Sequence, residues 1–386
     1  MAAQIRHDEG RGTSNMNAEE LLRLKIRLLT EGVMVDEGEW AARRGGAGPV
    51  GAKYFIIPNG RPVGVPLRRG EQAQLFGAAP LEPTDNPDLW LYEQSIPLRV
   101  IPRPRFYDLT TKDGVPYRKI ALLHGSETLA TTAYQACRYW SNGLQCRFCT
   151  IPFSLYSGDT VLEKHPEQLA EVVQAAEAEG VIKNILITTG TPDSPDAGAK
   201  RLAGLVRAIR DVSRLPIGVQ FEPPTELRFI EEVAAAGANA VGMHIESGDE
   251  RIRQRMCPGK YRYGSLEMYR RAWDFALDFF GSGNVSTFVL YGLGEDIDRT
   301  LSFVADLAET GVLPVVTPLR PAPKSLLADF VPSYVGSIDT SMAFYKRVGE
   351  ILFDNRLNPD ETAAGCHKCG GCTPIQEAYD WAASRG

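Results

Sequence analysis

Six of the seven cysteines stand in two groups of three, and thiols at such spacing read as ligands for a metal or a cluster. The first group is Cys137, Cys146 and Cys149, a C-x8-C-x2-C pattern within residues 137–149 (CRYWSNGLQCRFC). Three thiolates on one loop can hold three irons of a 4Fe–4S cluster and leave the fourth iron open to an external ligand. A cluster with an open iron is a catalyst rather than only an electron carrier. A tetrahedral zinc site completed by one distant ligand is the rival reading, and ordinary buried thiols are the bland one.

The second group is Cys366, Cys369 and Cys372 in residues 365–374 (GCHKCGGCTP), a C-x2-C-x2-C pattern with His367 inside it. Its glycines let the chain wrap tightly, and Pro374 follows the last cysteine as in ferredoxin-like loops. An auxiliary 4Fe–4S cluster, a structural zinc site and a redox dithiol compete here, in that order. The distance in sequence from Cys149 makes this a second site rather than a source of spare ligands for the first. Cys257, alone in Met256-Cys257-Pro258-Gly259, reads as a buried structural thiol, with a hydrogen donor or distant ligand as the alternative.

Repeated elements must position these groups. From about residue 120 strand-like and helix-like segments alternate, with strands expected at 129–135, 182–189, 216–221, 240–245, 284–291 and 313–319. Helices are expected at 166–179, 197–213, 225–236, 265–279 and 297–310, the last opening on the acidic turn of Glu295, Asp296 and Asp298. Such units require parallel pairing with right-handed crossovers, and six of them fit a partial TIM-like (β/α)6 barrel. An open doubly wound sheet is the alternative, and in either case function belongs at the carboxyl ends of the strands. Cys137 follows the first of these strands.

Upstream, residues 18–31 place Leu21, Leu22, Ile26 and Leu29 on one helical face, and a Gly-rich stretch spans 43–51. Asn59-Gly60 between two β-prone runs signals a hairpin. Residues 1–105 are read as an α+β N-terminal domain or lid, 106–335 as the barrel, and 336–386 as a helix with a cysteine-rich metal-binding tail. Alternation along a strand pairs His244 with Glu246 and Gln220 with Glu222, facing inward near the carboxyl end. A polar layer satisfied by internal hydrogen bonds is the other explanation of those four. His124 reads as a structural histidine.

These residues together resemble the radical SAM superfamily, over about residues 120–325. In that family three cysteines after the first strand bind a 4Fe–4S cluster whose free iron chelates S-adenosylmethionine. Phe148, just before the last cysteine, matches the aromatic that packs near the adenine. Thr188-Thr189-Gly190-Thr191 ends the second strand, where the family binds the methionine amino group, with Thr189 or Thr191 in place of the usual acidic residue. Glu246 in Ile245-Glu246-Ser247-Gly248 matches the ribose position, and Gly292 and Gly294 in Tyr291-Gly292-Leu293-Gly294-Glu295 match the backbone motif that touches adenine. Glu222 and His244 are then substrate contacts or a proton route, and Arg253, Arg255 or Lys260 can pair with the methionine carboxylate, a solvated helix face being the equal alternative for these three cations. The first gap is eight residues where the commonest spacing has three. The region after the sixth strand, Pro321-Ala322-Pro323-Lys324-Ser325, matches only loosely. The long spacing resembles an uncharacterised subfamily, related to the biotin synthase and thiazole-tyrosine lyase branch and encoded beside nitrilases.

The resemblance implies reductive cleavage of S-adenosylmethionine to a 5′-deoxyadenosyl radical, an oxygen-sensitive enzyme and a flavodoxin- or ferredoxin-type electron donor. The expected substrate is a small, nitrogen-containing metabolite. A peptide-modifying enzyme that uses 1–105 for recognition, and a non-catalytic iron–sulfur or zinc scaffold, are the alternatives. Composition narrows the field in the same direction. The chain has 386 residues, 44% hydrophobic and 23% charged, enough for a large core without disulfides. A net charge of −6 argues against a protein devoted to nucleic-acid backbones. No apolar run reaches the roughly 18 residues of a membrane span, and the polar N-terminus carries no leader pattern, so a cytoplasmic protein is expected.

Overall fold

The computed structural model describes residues 16–36, 50–93 and 95–386; the N-terminal 1–15 and the Gly-rich stretch from 43 to 49 lie outside the described residues. Its first helix, Ala18–Thr30, opens on a capping box between Asn17 and Glu20. It is buried on more than the one face that the sequence periodicity suggested. Leu22 and Ile26 enter one apolar core, while Leu24, Leu28 and Leu29 enter another.

That second core belongs to a small barrel of six strands: β1 (Val33–Met34), β2 (Ala52–Ile56), β3 (Pro62–Arg68), β4 (Ala79–Pro83), β5 (Leu89–Tyr92) and β6 (Ile96–Val100). Their order is β1-β3-β2-β6-β5-β4, and β1 closes the ring by pairing in parallel with both β3 and β4. The Asn59-Gly60 turn joins β2 to β3 as an antiparallel hairpin, with Gly60 at a φ of 84° that favours glycine.

The larger sheet has seven strands. An antiparallel edge strand β7 (Leu122–His124) precedes six parallel ones: β8 (Thr128–Thr132), β9 (Asn184–Thr188), β10 (Ile217–Gln220), β11 (Ala240–Gly242), β12 (Val285–Tyr291) and β13 (Leu313–Pro318). They neighbour one another in chain order, each crossover carrying a helix, as in the expected (β/α)6 arrangement. Nearly every residue of these strands is buried, which is what a parallel sheet covered on both faces requires. The sheet curls into a partial barrel without closing, so β7 and β13 are its edges.

The C-terminal segment crosses that gap. Helix Ile338–Asp354 packs on helix Ile375–Ala383, and both touch the first helix. Between them the cysteine-rich loop runs from Ala363, whose N–H donates to Asn284 Oδ1 (2.9 Å), to Thr373, whose hydroxyl donates to the Val316 carbonyl of β13. A Cβ at Gly125, in the turn between β7 and β8, would lie 3.0 Å from Cys369 Sγ. The loop therefore touches both edges of the open sheet. The small barrel braces it from outside, where Gly64 N–H donates to the Gly371 carbonyl at 2.6 Å.

A fully buried ion pair ties these parts together. Lys25 Nζ donates to the Pro62 carbonyl (2.6 Å) and to Glu377 Oε1 (3.1 Å), joining first helix, small barrel and last helix. Removing one partner leaves the other charged and dry. Lys25→Met is expected to lower stability by about 3–5 kcal/mol in a chemical denaturation series. The double variant Lys25→Met/Glu377→Leu should recover most of that loss.

Candidate active site

The loops after the parallel strands converge on one cavity of ≈ 440 Å³, within the range of small-molecule sites. Cys137, Cys146 and Cys149 all line it, together with Phe148. The eight residues between the first two cysteines form a short helix, Arg138–Ser141, that turns Tyr139 and Trp140 onto the same cavity. Burial raises the Cys137 thiol and pushes Cys149 up to about 12, so free thiolates are disfavoured unless a cation joins them. Cys257 packs beside Cys146 in an apolar cluster with Ile252, Met256 and Leu293.

Thr189, Gly190 and Thr191 leave β9 beside the first cysteine, where Arg138 N–H donates to the Thr191 carbonyl at 2.8 Å. Gly190 has no room for a side chain, since a Cβ there would stand 2.0 Å from the Ala136 carbonyl oxygen. The missing methyl is what lets the second strand's loop lie against the residue before Cys137.

Gln220, Glu222, His244 and Glu246 also line this cavity, so the alternation read from the third and fourth strands places all four on one lumen. Each has a distinct commitment. Glu222 accepts from Tyr139 OH at 2.6 Å. Glu246 Oε1 accepts from Lys260 Nζ at 2.6 Å, and the same ammonium donates to the His244 carbonyl at 2.8 Å. Burial alone would lower the Lys260 pKa, but the acidic groups around it, Glu246 foremost with Tyr269, Glu222 and Cys146, together raise it well above its ordinary value. Glu246 holds a φ of 71°, strained for a residue with a side chain and worth about 1–3 kcal/mol. Two hydrogen bonds to β12 hold it there: Glu246 N–H to Phe288 carbonyl (3.0 Å) and Leu290 N–H to Glu246 carbonyl (2.8 Å).

His244 is stacked on Phe288, ring centroids 4.0 Å apart. Its Nδ1 accepts from Phe288 N–H at 3.2 Å, which leaves the proton on Nε2. Burial holds the imidazole well below its ordinary pKa, so it is neutral. Nε2 is buried without a partner, as is Gln145 Oε1 on the same cavity. Orphaned polar atoms facing a cavity are what a bound polar molecule would satisfy.

Gly292 and Gly294 depart from the expected adenine contact, because neither lines the cavity. A Cβ at Gly292 would meet the Tyr334 ring at 2.6 Å, so its glycine serves close packing. Its backbone is spent as well: the N–H donates to Glu295 Oε1 (2.7 Å) and the carbonyl accepts from Ser333 N–H (3.1 Å). Arg253 and Arg255 are likewise turned away, donating to the Gly264 and Leu293 carbonyls, so of the three only Lys260 lines the cavity. Tyr139, Trp140 and Arg320 line the cavity but carried no functional reading in the sequence. The aromatic pair inside the long cysteine gap was a usable signal, whereas nothing local marked Arg320.

The second group of cysteines faces the same lumen from its inner end. Cys366 and Cys372 line a further cavity of ≈ 290 Å³ that shares Phe148, Gln220 and Arg320 with the first. Gln220 Nε2 donates to Cys366 Sγ at 3.2 Å. Burial pushes Cys369 up to about 11 and His367 down to about 3, and neither ring nitrogen of His367 has a partner. Among the described residues no three His, Cys, Asp or Glu side chains converge on a point that could hold a single metal ion. Cys137, Cys146 and Cys149 line the first cavity and Cys366 and Cys372 the second.

Three thiols, the Glu246–Lys260 pair and unpartnered polar atoms around one cavity suit a cluster with a polar ligand. Because Gly190 abuts the Ala136–Cys137 backbone, Gly190→Ala must displace the first cysteine. Anaerobically reconstituted Gly190→Ala protein is expected to bind markedly less iron than the parent, with an unchanged far-ultraviolet circular dichroism spectrum.

Comparison with known proteins agrees with this geometry. Residues 143–307 match the family model of the radical SAM superfamily, a span that contains Cys146 and Cys149 and begins after Cys137. Bacteriochlorophyllide c C-7(1)-hydroxylase of Chlorobaculum limnaeum is 27% identical over 212 residues, 49% of this chain and 51% of that protein. Lipoyl synthase of Thermus thermophilus is 28% identical over 195 residues, 48% of this chain and 57% of that protein. The chain thus spans about half the length of these curated relatives. Among solved structures, methylornithine synthase has a TM-score of 0.46 at 15% identity, covering 65% of this chain and 72% of that one. The family match assigns residues 143–307 to the radical SAM superfamily.

Proposed function

We propose that this protein is a radical SAM enzyme that cleaves S-adenosylmethionine reductively and acts on a small, nitrogen-containing metabolite. The observation that carries the reading is a single cavity lined by Cys137, Cys146 and Cys149 at the carboxyl ends of a partial (β/α)6 barrel. A 4Fe–4S cluster held by these thiolates, with S-adenosylmethionine on its open iron, would supply a 5′-deoxyadenosyl radical able to take a hydrogen atom from an unactivated carbon.

The chain's own residues bind and orient. Thr189, Gly190 and Thr191 provide the wall for the methionine end, and Phe148 provides an aromatic face for the adenine. Glu246, fixed by Lys260 and by β12, presents a carboxylate edge to ribose hydroxyls. Lys260 also offers the cation for the methionine carboxylate. His244 Nε2–H is a donor aimed at the lumen and Glu222 an acceptor, so they hold substrate or pass a proton between it and Tyr139. The buried lumen keeps water from the reacting carbon.

At Cys366, Cys369 and Cys372 the reading is an auxiliary 4Fe–4S cluster rather than zinc, supported by the C-x2-C-x2-C spacing and by Cys366 and Cys372 facing one cavity. A flavodoxin- or ferredoxin-type protein would supply the electron, and the cytoplasm the reducing setting. The division into 1–105, 106–335 and 336–386 belongs to this reading, with the last segment contributing to the barrel's lumen.

Anaerobic reconstitution followed by dithionite and S-adenosylmethionine should release 5′-deoxyadenosine. Cys137→Ala, Cys146→Ala and Cys149→Ala should each abolish release and leave the fold intact. Absence of product from the well-reduced parent would sink the enzyme reading, and full activity in Cys137→Ala would sink the long-gap ligand set. The parent should hold about eight irons, and the Cys366→Ala/Cys369→Ala/Cys372→Ala variant about four. About four irons with one zinc in the parent would replace the auxiliary cluster by a structural zinc tail.

A further inference from the structure

The inner cavity of ≈ 290 Å³ is not lined by Cys137, Cys146 or Cys149; the C-terminal thiols take one end of it, and its wall has a charge that nothing in the described structure answers. It continues inward from the first cavity and ends on the Cys366 and Cys372 thiols. Most of its lining is apolar, with Leu186, Phe288 and Leu290 forming a surface suited to a short carbon chain.

Arg320, just past the end of β13, lines both cavities. One of its nitrogens donates to the Gly64 carbonyl at 2.7 Å, which fixes the guanidinium without neutralising it. Among the described residues no carboxylate pairs with Arg320, and no Asp or Glu lines the inner cavity. The acids of the outer cavity are committed elsewhere, Glu222 to Tyr139 and Glu246 to Lys260. Arg68 stands near enough to act on Arg320 as a like charge and adds to the positive potential. A half-buried guanidinium on a mainly apolar wall calls for an anion, and its planar fork matches a carboxylate. His244 Nε2–H, unpartnered on the adjoining cavity, can serve a second polar group of the same molecule.

We propose that the inner chamber is the substrate site and that it takes a small carboxylate, whose anionic group pairs with Arg320 while its carbon chain lies between the cofactor pocket and the C-terminal thiols. The inference rests on the radical SAM reading of the outer cavity and names the substrate class for it. It also gives the C-terminal loop a place at the inner end of the reaction chamber.

The test is calorimetric titration of the anaerobically reconstituted full chain, with S-adenosylmethionine present, using butyrate and glutarate against butyramide and glutaramide. At least one carboxylate should bind while its amide does not. Arg320→Gln should weaken that binding by about tenfold or more, and Arg320→Lys should restore part of it. Iron content should stay within about twofold of the parent in both variants, because Arg320 is not one of the cluster cysteines. The proposal is overturned by equal binding of carboxylate and amide, by no carboxylate binding, by undiminished binding in Arg320→Gln, or by a variant that loses S-adenosylmethionine affinity. That last result would make Arg320 a cofactor residue. Failure of the underlying enzyme reading shows separately, as absence of 5′-deoxyadenosine from the parent, which this titration does not measure.

Discussion

A parallel sheet that curls without closing leaves two backbone edges and an open lumen, and in this protein both are answered by one loop. The residues between Ala363 and Thr373 reach the start of β12, the turn before β8 and the free edge of β13. Unpaired strand edges are costly when buried and hazardous when exposed, so some segment has to cover them. Because the covering segment carries three cysteines, the seal of the barrel and the second thiol site are the same piece of chain. The small barrel then follows as a brace: Gly64 N–H holds the Gly371 carbonyl, and the Gly64 carbonyl holds Arg320. One glycine of β3 thus touches the seal on one side and the wall of the chamber on the other.

Fixing the lumen from outside also explains the state of the groups inside it. His244 is neutral because it is dry, and its tautomer is set by a backbone N–H of the neighbouring strand. Lys260 stays charged among the acidic groups around it, with Glu246 as its hydrogen-bond partner, and a left-handed backbone at Glu246 persists because β12 holds it from both its N–H and its carbonyl. Backbone strain of that kind is retained where surrounding structure over-determines it, and it gathers at functional sites. The polar groups of the cavity are therefore fixed by hydrogen bonds within the fold.

The sequence made the repeated units legible because parallel strands buried on both faces give unbroken apolar runs, and caps and acidic first turns mark the helices between them. Helix Pro166–Glu179 and strand β12 were foreseen to within a residue. Period-two reasoning also placed Gln220, Glu222, His244 and Glu246 toward one lumen, since side-chain alternation survives tertiary packing. What sequence could not show was long-range. The first helix read as amphipathic, yet it is buried between two cores that are distant in sequence. The closure of the small barrel depends on β1, a two-residue strand with no pattern of its own. Gly292 matched a binding motif, but its lack of a side chain is spent on the Tyr334 ring, a partner forty residues away that no local signal announces. The cysteine-rich tail looked like an appendage and is instead the inner wall of the chamber.

The central claim is that Cys137, Cys146 and Cys149 hold a cluster whose open iron takes S-adenosylmethionine, apart from anything bound at the C-terminal thiols. Electron paramagnetic resonance of the dithionite-reduced Cys366→Ala/Cys369→Ala/Cys372→Ala protein isolates that cluster. The account predicts a single reduced 4Fe–4S signal whose g-values shift when S-adenosylmethionine is added. A spectrum that the cofactor leaves unchanged would contradict it.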